Sequence, residues 1–215
     1  MVPGLFRNDI PNLPEGNYRS IEDTLLARFF QLAEVHLNKP EKRNALRDRI
    51  IAQHYGLRTS LLDWTRNPLV ALYFSCDHYD RNGRVFLAEI NAAIHNDASA
   101  ISDEFLDKVG VVKIIPPSLD VRITAQSSRF TLQTFPKDGG LFLPLEVRFP
   151  EAKRDKQNSR AYFSSIIIPQ DAKPSLKQEL NDYGVNELTV FPELQSVGRY
   201  LSQHLTGQYR GWTDS

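Results

Sequence analysis

Apolar residues recur at helical spacing near the start of the chain. Ile21, Leu25, Phe29 and Leu32 form one row, and Leu26, Phe30, Ala33 and Leu37 a second beside it. Rows three and four residues apart share one face of a helix. The pattern predicts an amphipathic helix from Ser20, read as N-cap with Asp23 three residues on, to Pro40, whose ring cannot continue it. A second helix is predicted from Glu41 to about Tyr55, where Ala45, Leu46, Ile50 and His54 keep the spacing and Gly56 is placed to stop it. A third should run from Pro68 to Asp77, capped by Thr65 or Asn67 with Pro68 in its first turn. Leu69 to Phe74 is apolar at every position, which predicts burial on most sides and a core running through this helix.

Beyond His78 to Gly83 the texture changes. Val85 to Ile90 reads as a strand covered on both faces, and Asp103 to Val109 as a short helix. Val111 to Ile115, Phe130 to Phe135, Leu141 to Phe149 and Tyr162 to Ile168 are rich in β-branched and aromatic residues, so a sheet is expected to fill the second half. Ser175 to Tyr183, followed by Gly184, and Glu193 to Leu205 read as closing helices. Residues 1–17, with three prolines and two glycines, are expected to be extended. The charged run 150–160 is expected to be a solvated loop, and residues 206–215 a flexible tail. The fold class is α+β: N-terminal helices, then a mixed or antiparallel sheet, then closing helices. With 215 residues and no linker or repeat, one domain over 1–215 is the expectation.

Composition narrows the function classes. The 26 basic and 26 acidic side chains cancel, so no overall field draws the chain to nucleic acid or an anionic membrane, though a nucleic-acid or protein target reached through a local face stays open. No apolar run has the ~18 residues that would span a bilayer. Cys76, the single cysteine, lies in an apolar run and reads as a small buried hydrophobe; a reducing, cytoplasmic setting is expected. The histidines are scattered without consistent acidic or thiol companions, so no metal site is predicted. No Gly-x-Ser-x-Gly elbow and no Gly-rich phosphate loop is present. Partners and oligomeric state have no signal.

Chemistry is best sought where polar residues interrupt apolar helices. Gln53-His54-Tyr55-Gly56 to Thr65 does so, concentrating hydrogen-bonding groups between two helices. The plain alternative is structural: Asp63 caps a turn, Trp64 packs with its indole N–H satisfied and His54 bonds locally. Two further polar knots follow. One is Pro116 to Phe130, containing Arg122 and Gln126. The other is Phe191-Pro192-Glu193-Leu194, for which a hydrophobic staple and an N1 proline are explanation enough.

Taken together, these blocks resemble the FRG domain family, a bacterial or phage-type family. They are Gln-His-Tyr-Gly-x-x-Thr-x-Leu-Leu-Asp-Trp-Thr-x-x-Pro-x-x-Ala-Leu-Tyr-Phe, then Arg-Ile-x-Ala-Gln-x-x-x-Phe, then Gly with Phe-Pro-x-Leu seven residues on. The resemblance runs from Val2 to about Leu205. Pro3-Gly4-Leu5-Phe6-Arg7 matches a later family feature, so the family's name-giving Phe/Tyr-Arg-Gly motif would lie upstream of Met1. Arg58 and Ser60 stand where relatives carry Pro and Arg beside the central threonine.

By analogy of order, the resemblance implies an ADP-ribosyltransferase-like toxin or defence effector with NAD as substrate. No other cofactor is implied. On that reading Gln126, Asp63 and Thr65 are the catalytic candidates. Gln53, His54, Tyr55, Thr59, Trp64 and Arg122 would bind NAD, with Tyr55 or Trp64 stacking on nicotinamide and Gln126 orienting the ribose. A glutamine carries no negative charge and would stabilise an oxocarbenium-like transition state less than a glutamate. The alternative is a non-catalytic module that binds a ligand, nucleic acid or protein.

Overall fold

In the computed structural model the described residues are 1–7, 18–37, 44–91, 93–95, 101–136, 142–149 and 161–205. The expected solvated loop at 150–160, the tail at 206–215 and most of the N-terminal segment fall outside them. The class is α+β. Six strands and nine α-helices are described, with short 3-10 turns between some of them.

The first helix, α1, is Tyr18–Ala33, so Ser20 lies inside it: its carbonyl accepts from Thr24 Oγ1 at 2.8 Å. The expected N-cap role is corrected. Its burial also departs from the apolar rows. Leu26 is buried but Leu25 and Leu32 are exposed, whereas Glu22 is completely buried. Helix α2, Ala45–His54, starts later than expected because Asn44 caps it, its side chain accepting from the Leu46 and Arg47 N–H groups. It ends as expected. Gly56 has φ +90°, and the Leu57 N–H reaches back to the Ala52 carbonyl, the paired closure that a left-handed residue permits.

A strand, β1 (Leu62–Thr65), then leads into α3, Pro68–Ser75, which Asn67 caps by accepting from Leu69 N–H at 3.0 Å. Only Val70 and Tyr73 of α3 are buried, and Leu69 and Phe74 are exposed. The expectation of burial on most sides is therefore corrected to a one-sided stripe at i and i+3.

The remaining elements are β2 (Gly83–Ile90), β3 (Ala93–His95), α4 (Asp103–Val109), β4 (Val111–Ile115), α5 (Val121–Ala125), β5 (Ser128–Gln133), α6 (Leu145–Arg148), β6 (Ala161–Ile168), α7 (Lys173–Asp182), α8 (Glu187–Val190) and α9 (Leu194–Leu205). One sheet has the order β1-β5-β4-β3, with β3 parallel to β4 and β4 antiparallel to β5. The other is the pair β2-β6. Strand β2 is not covered on both faces, because Leu87, Ala88 and Glu89 are exposed along a ribbon with a single partner. The expected β-character of 141–149 is also corrected: Pro144 leads into the helical turn α6.

The chain forms two compact units. The first comprises Met1–Trp64, Phe86–Leu119 and Arg129–Ser164; the second comprises Thr65–Val85, Asp120–Ser128 and Ser165–Ser215. In the first, Ile90, Val111, Leu145, Ala161 and Phe163 form a core against which Leu62, Trp64 and Phe149 pack. In the second, Val70, Tyr73, Leu180 and Val190 do so, with Leu72, Val185 and Phe191. Cys76 is buried, as its apolar neighbours implied.

Candidate functional site

The polar block that starts at Gln53 becomes a hydrogen-bonded relay in the first unit. Gln53 sits in the last turn of α2, and the Gly56 turn folds the chain back so that Thr59 and Asp63 meet its side chain. Thr59, completely buried, accepts from the Leu61 N–H at 3.2 Å and donates its hydroxyl hydrogen to Gln53 Oε1. Because Oε1 is engaged there, Gln53 Nε2 faces Asp63 and donates to Oδ2 at 2.7 Å. Each bond sets the direction of the next, so the carboxylate receives an N–H and stays an acceptor.

Asp63 is exposed to solvent, with protein close enough around its carboxyl to desolvate it in part. Desolvation raises its carboxyl above the ordinary carboxylate value. The Gln53 bond, its own backbone N–H and the charge of Arg7 pull the other way.

The relay is anchored by a residue with no motif to announce it. Glu22 accepts from the Ser60 N–H at 2.6 Å through Oε1 and from Arg49 Nε at 2.8 Å through Oε2, and Arg49 also lies 3.6 Å from Asp23. The legible signal was a charge four residues before Leu26, on the buried stripe of α1.

Trp64 donates its indole N–H to Thr131 Oγ1 at 3.0 Å and leans on Phe163 at a centroid distance of 6.1 Å. Tyr55, which ends α2, is exposed and stacks at 6.5 Å on Phe29, with the His54 ring edge-on at 4.8 Å.

The second unit gathers the other candidates. Thr65 donates to the Gln126 carbonyl at 2.6 Å and accepts from the Asn67 N–H at 2.9 Å. Gln126 ends α5 and donates Nε2 to the Val190 carbonyl at 3.2 Å. Arg122 pairs with Glu193 at 2.8 Å, and its guanidinium lies 5.1 Å from the Phe191 ring centroid. Its Nε is buried without a hydrogen-bond partner among the described residues. The second and third polar knots are thus joined to each other, a pairing that no spacing in the sequence signals.

Nearby, Glu187 accepts from Tyr73 at 2.8 Å and pairs with Arg199 at 2.7 Å. Burial, and then this carboxylate, push the Tyr73 hydroxyl above its ordinary value. Ser127, with φ +49°, is the one non-glycine residue described in the left-handed region, in the turn between Gln126 and β5.

Among known protein families, the model described as FRG domain matches residues 1–84. That span contains Pro3–Arg7 and the whole block from Gln53 to Phe74, while the blocks around Gln126 and Phe191 lie beyond it. No curated protein and no solved structure matches the chain.

Proposed function

We propose that this chain, which carries an FRG domain over residues 1–84, is a ligand-recognition module whose reading group is the Asp63 carboxylate, and that it binds without transferring. The observation that carries this is the Thr59–Gln53–Asp63 relay. It spends both ends of a glutamine amide on presenting one carboxylate at the surface as an acceptor only. Such a group takes a positively charged or N–H-rich partner. A crowded carboxylate with a raised pKa is a costly thing to keep at a surface, and functional sites are where such costs gather.

The nicotinamide ring of oxidised NAD is a flat cation bearing a carboxamide, and it fits that chemistry. Exposed Tyr55, at the end of the helix that carries Gln53, offers an aromatic face of the kind such rings use. Transfer needs Gln126 and Thr65 to face a substrate. One N–H of the Gln126 amide goes instead to the Val190 carbonyl and the Thr65 hydroxyl hydrogen to the Gln126 carbonyl, which favours binding over catalysis.

Incubating the purified chain with oxidised NAD and measuring free nicotinamide, beside a thermal-shift titration, separates the readings. A concentration-dependent rise in Tm without nicotinamide release is expected. Release above the buffer control refutes the binding-only reading, and absence of any shift refutes NAD as ligand.

A further inference from the structure

Glu22 is the most deeply buried carboxylate among the described residues, and a side chain so enclosed cannot itself touch a ligand. It is wholly inaccessible, whereas the residues around it on α1, Asp23 and Leu25, are exposed. A buried carboxylate is retained at a desolvation cost unless its hydrogen bonds answer that cost. One of its two bonds, to Arg49, joins α1 to α2. The other goes to the backbone of Ser60, between Thr59 and Leu61. Those two neighbours set the direction of the Gln53 amide, since Leu61 N–H donates to Thr59 and Thr59 donates to Gln53.

We propose that Glu22 is the positioning residue of the Asp63 site, holding the Thr59–Leu61 turn so that Gln53 Nε2 faces the carboxylate. The proposal rests on the reading of Asp63 as the ligand-facing group. Ligand contact is not part of Glu22's role: it is buried, and it acts through Ser60, Thr59 and Gln53 in turn. The charged groups in play are Arg7, whose field reaches Asp63, and Arg49 and Asp23 beside Glu22.

The test is the carboxyl titration of Asp63, followed by carbon NMR in the full chain, for wild type, Glu22→Gln and Thr59→Val. A glutamine at position 22 presents one acceptor where the site has two donors, so either Ser60 or Arg49 loses its bond. Removing a negative charge by itself favours ionisation of Asp63 and moves its midpoint down. Losing the Gln53 hydrogen bond moves it up. The sign therefore reports positioning separately from charge.

An upward movement in Glu22→Gln, in the same direction as in Thr59→Val, is expected, with oxidised NAD bound about tenfold more weakly. A downward or absent movement in Glu22→Gln, with only Tm lowered, overturns the proposal. Should that variant fail to fold, Glu22→Met combined with Arg49→Met removes the acceptor of the Ser60 N–H without leaving a buried cation unpaired, and the direction of the Asp63 midpoint in it decides by the same criterion. Failure of wild type to bind NAD would sink the functional reading while leaving the titration free to decide the role of Glu22.

Discussion

Asp63 is the centre of the proposed site, and its energetics can be read separately from ligand binding. Its carboxyl is raised in the folded chain, with desolvation the largest cause. A group whose folded pKa lies above its unfolded value adds stability where it is protonated and loses that contribution as pH rises through the folded value. Asp63→Asn keeps an oxygen for the Gln53 N–H and removes the charge. The stability advantage of Asp63→Asn over wild type should therefore be smallest near pH 4 and grow towards neutrality, starting from about the ordinary carboxylate value. Urea midpoints at four pH values would check it. An advantage that shrinks as pH rises would mean that the Gln53 bond, not desolvation, governs this carboxylate.

At the same scale, Trp64 was legible as a packed residue with a satisfied indole, and it is one. The Gln53–Asp63 contact was not legible, because it depends on the left-handed turn at Gly56 returning the chain onto α2. Spacing along the sequence does not encode that return.

Among the elements, helices with local signals were easiest to read. The Asn67 cap, Pro68 in the first turn and the Gly56 stop each act within a few residues, and all three appear as expected. Burial was harder. The apolar run of α3 predicts an enclosed helix, yet Leu69 and Phe74 are exposed, since which face is covered depends on packing partners distant in sequence. Residues 141–149 show the same limit: an apolar and aromatic composition lost to the turn that begins after Pro144.

Two glycines separate backbone strain from close approach. At Gly56 nothing lies near an added Cβ, so Gly56→Ala carries only the left-handed penalty, about 1 kcal/mol. At Gly83 an added Cβ would stand 2.1 Å from the Ser75 carbonyl oxygen, and Gly83→Ala should cost about 3 kcal/mol by overpacking. Denaturation midpoints of the pair should differ in that order; equal losses would show that β2 can shift away from α3 at little cost.

For the whole molecule, the family match and the fold do not share boundaries. Residues 1–84 end inside β2 and include β1 but not β5, the strand to which β1 is hydrogen-bonded. Both compact units draw on chain beyond residue 84. A fragment of residues 1–84 should therefore show no cooperative thermal transition by circular dichroism, while the full chain does; a sharp transition in the fragment would mean the matched segment folds alone. The balanced charge is equally a property of the whole chain. On the proposed reading, recognition rests on local chemistry at Asp63 rather than on long-range attraction.

That claim is tested most directly by calorimetric titration of wild type and Asp63→Asn with oxidised and reduced NAD. If Asp63 reads a cationic ring, wild type binds the oxidised form more tightly than the reduced form, and the preference disappears in Asp63→Asn. Equal affinity of wild type for the two forms, or a preference that survives in Asp63→Asn, would contradict the account.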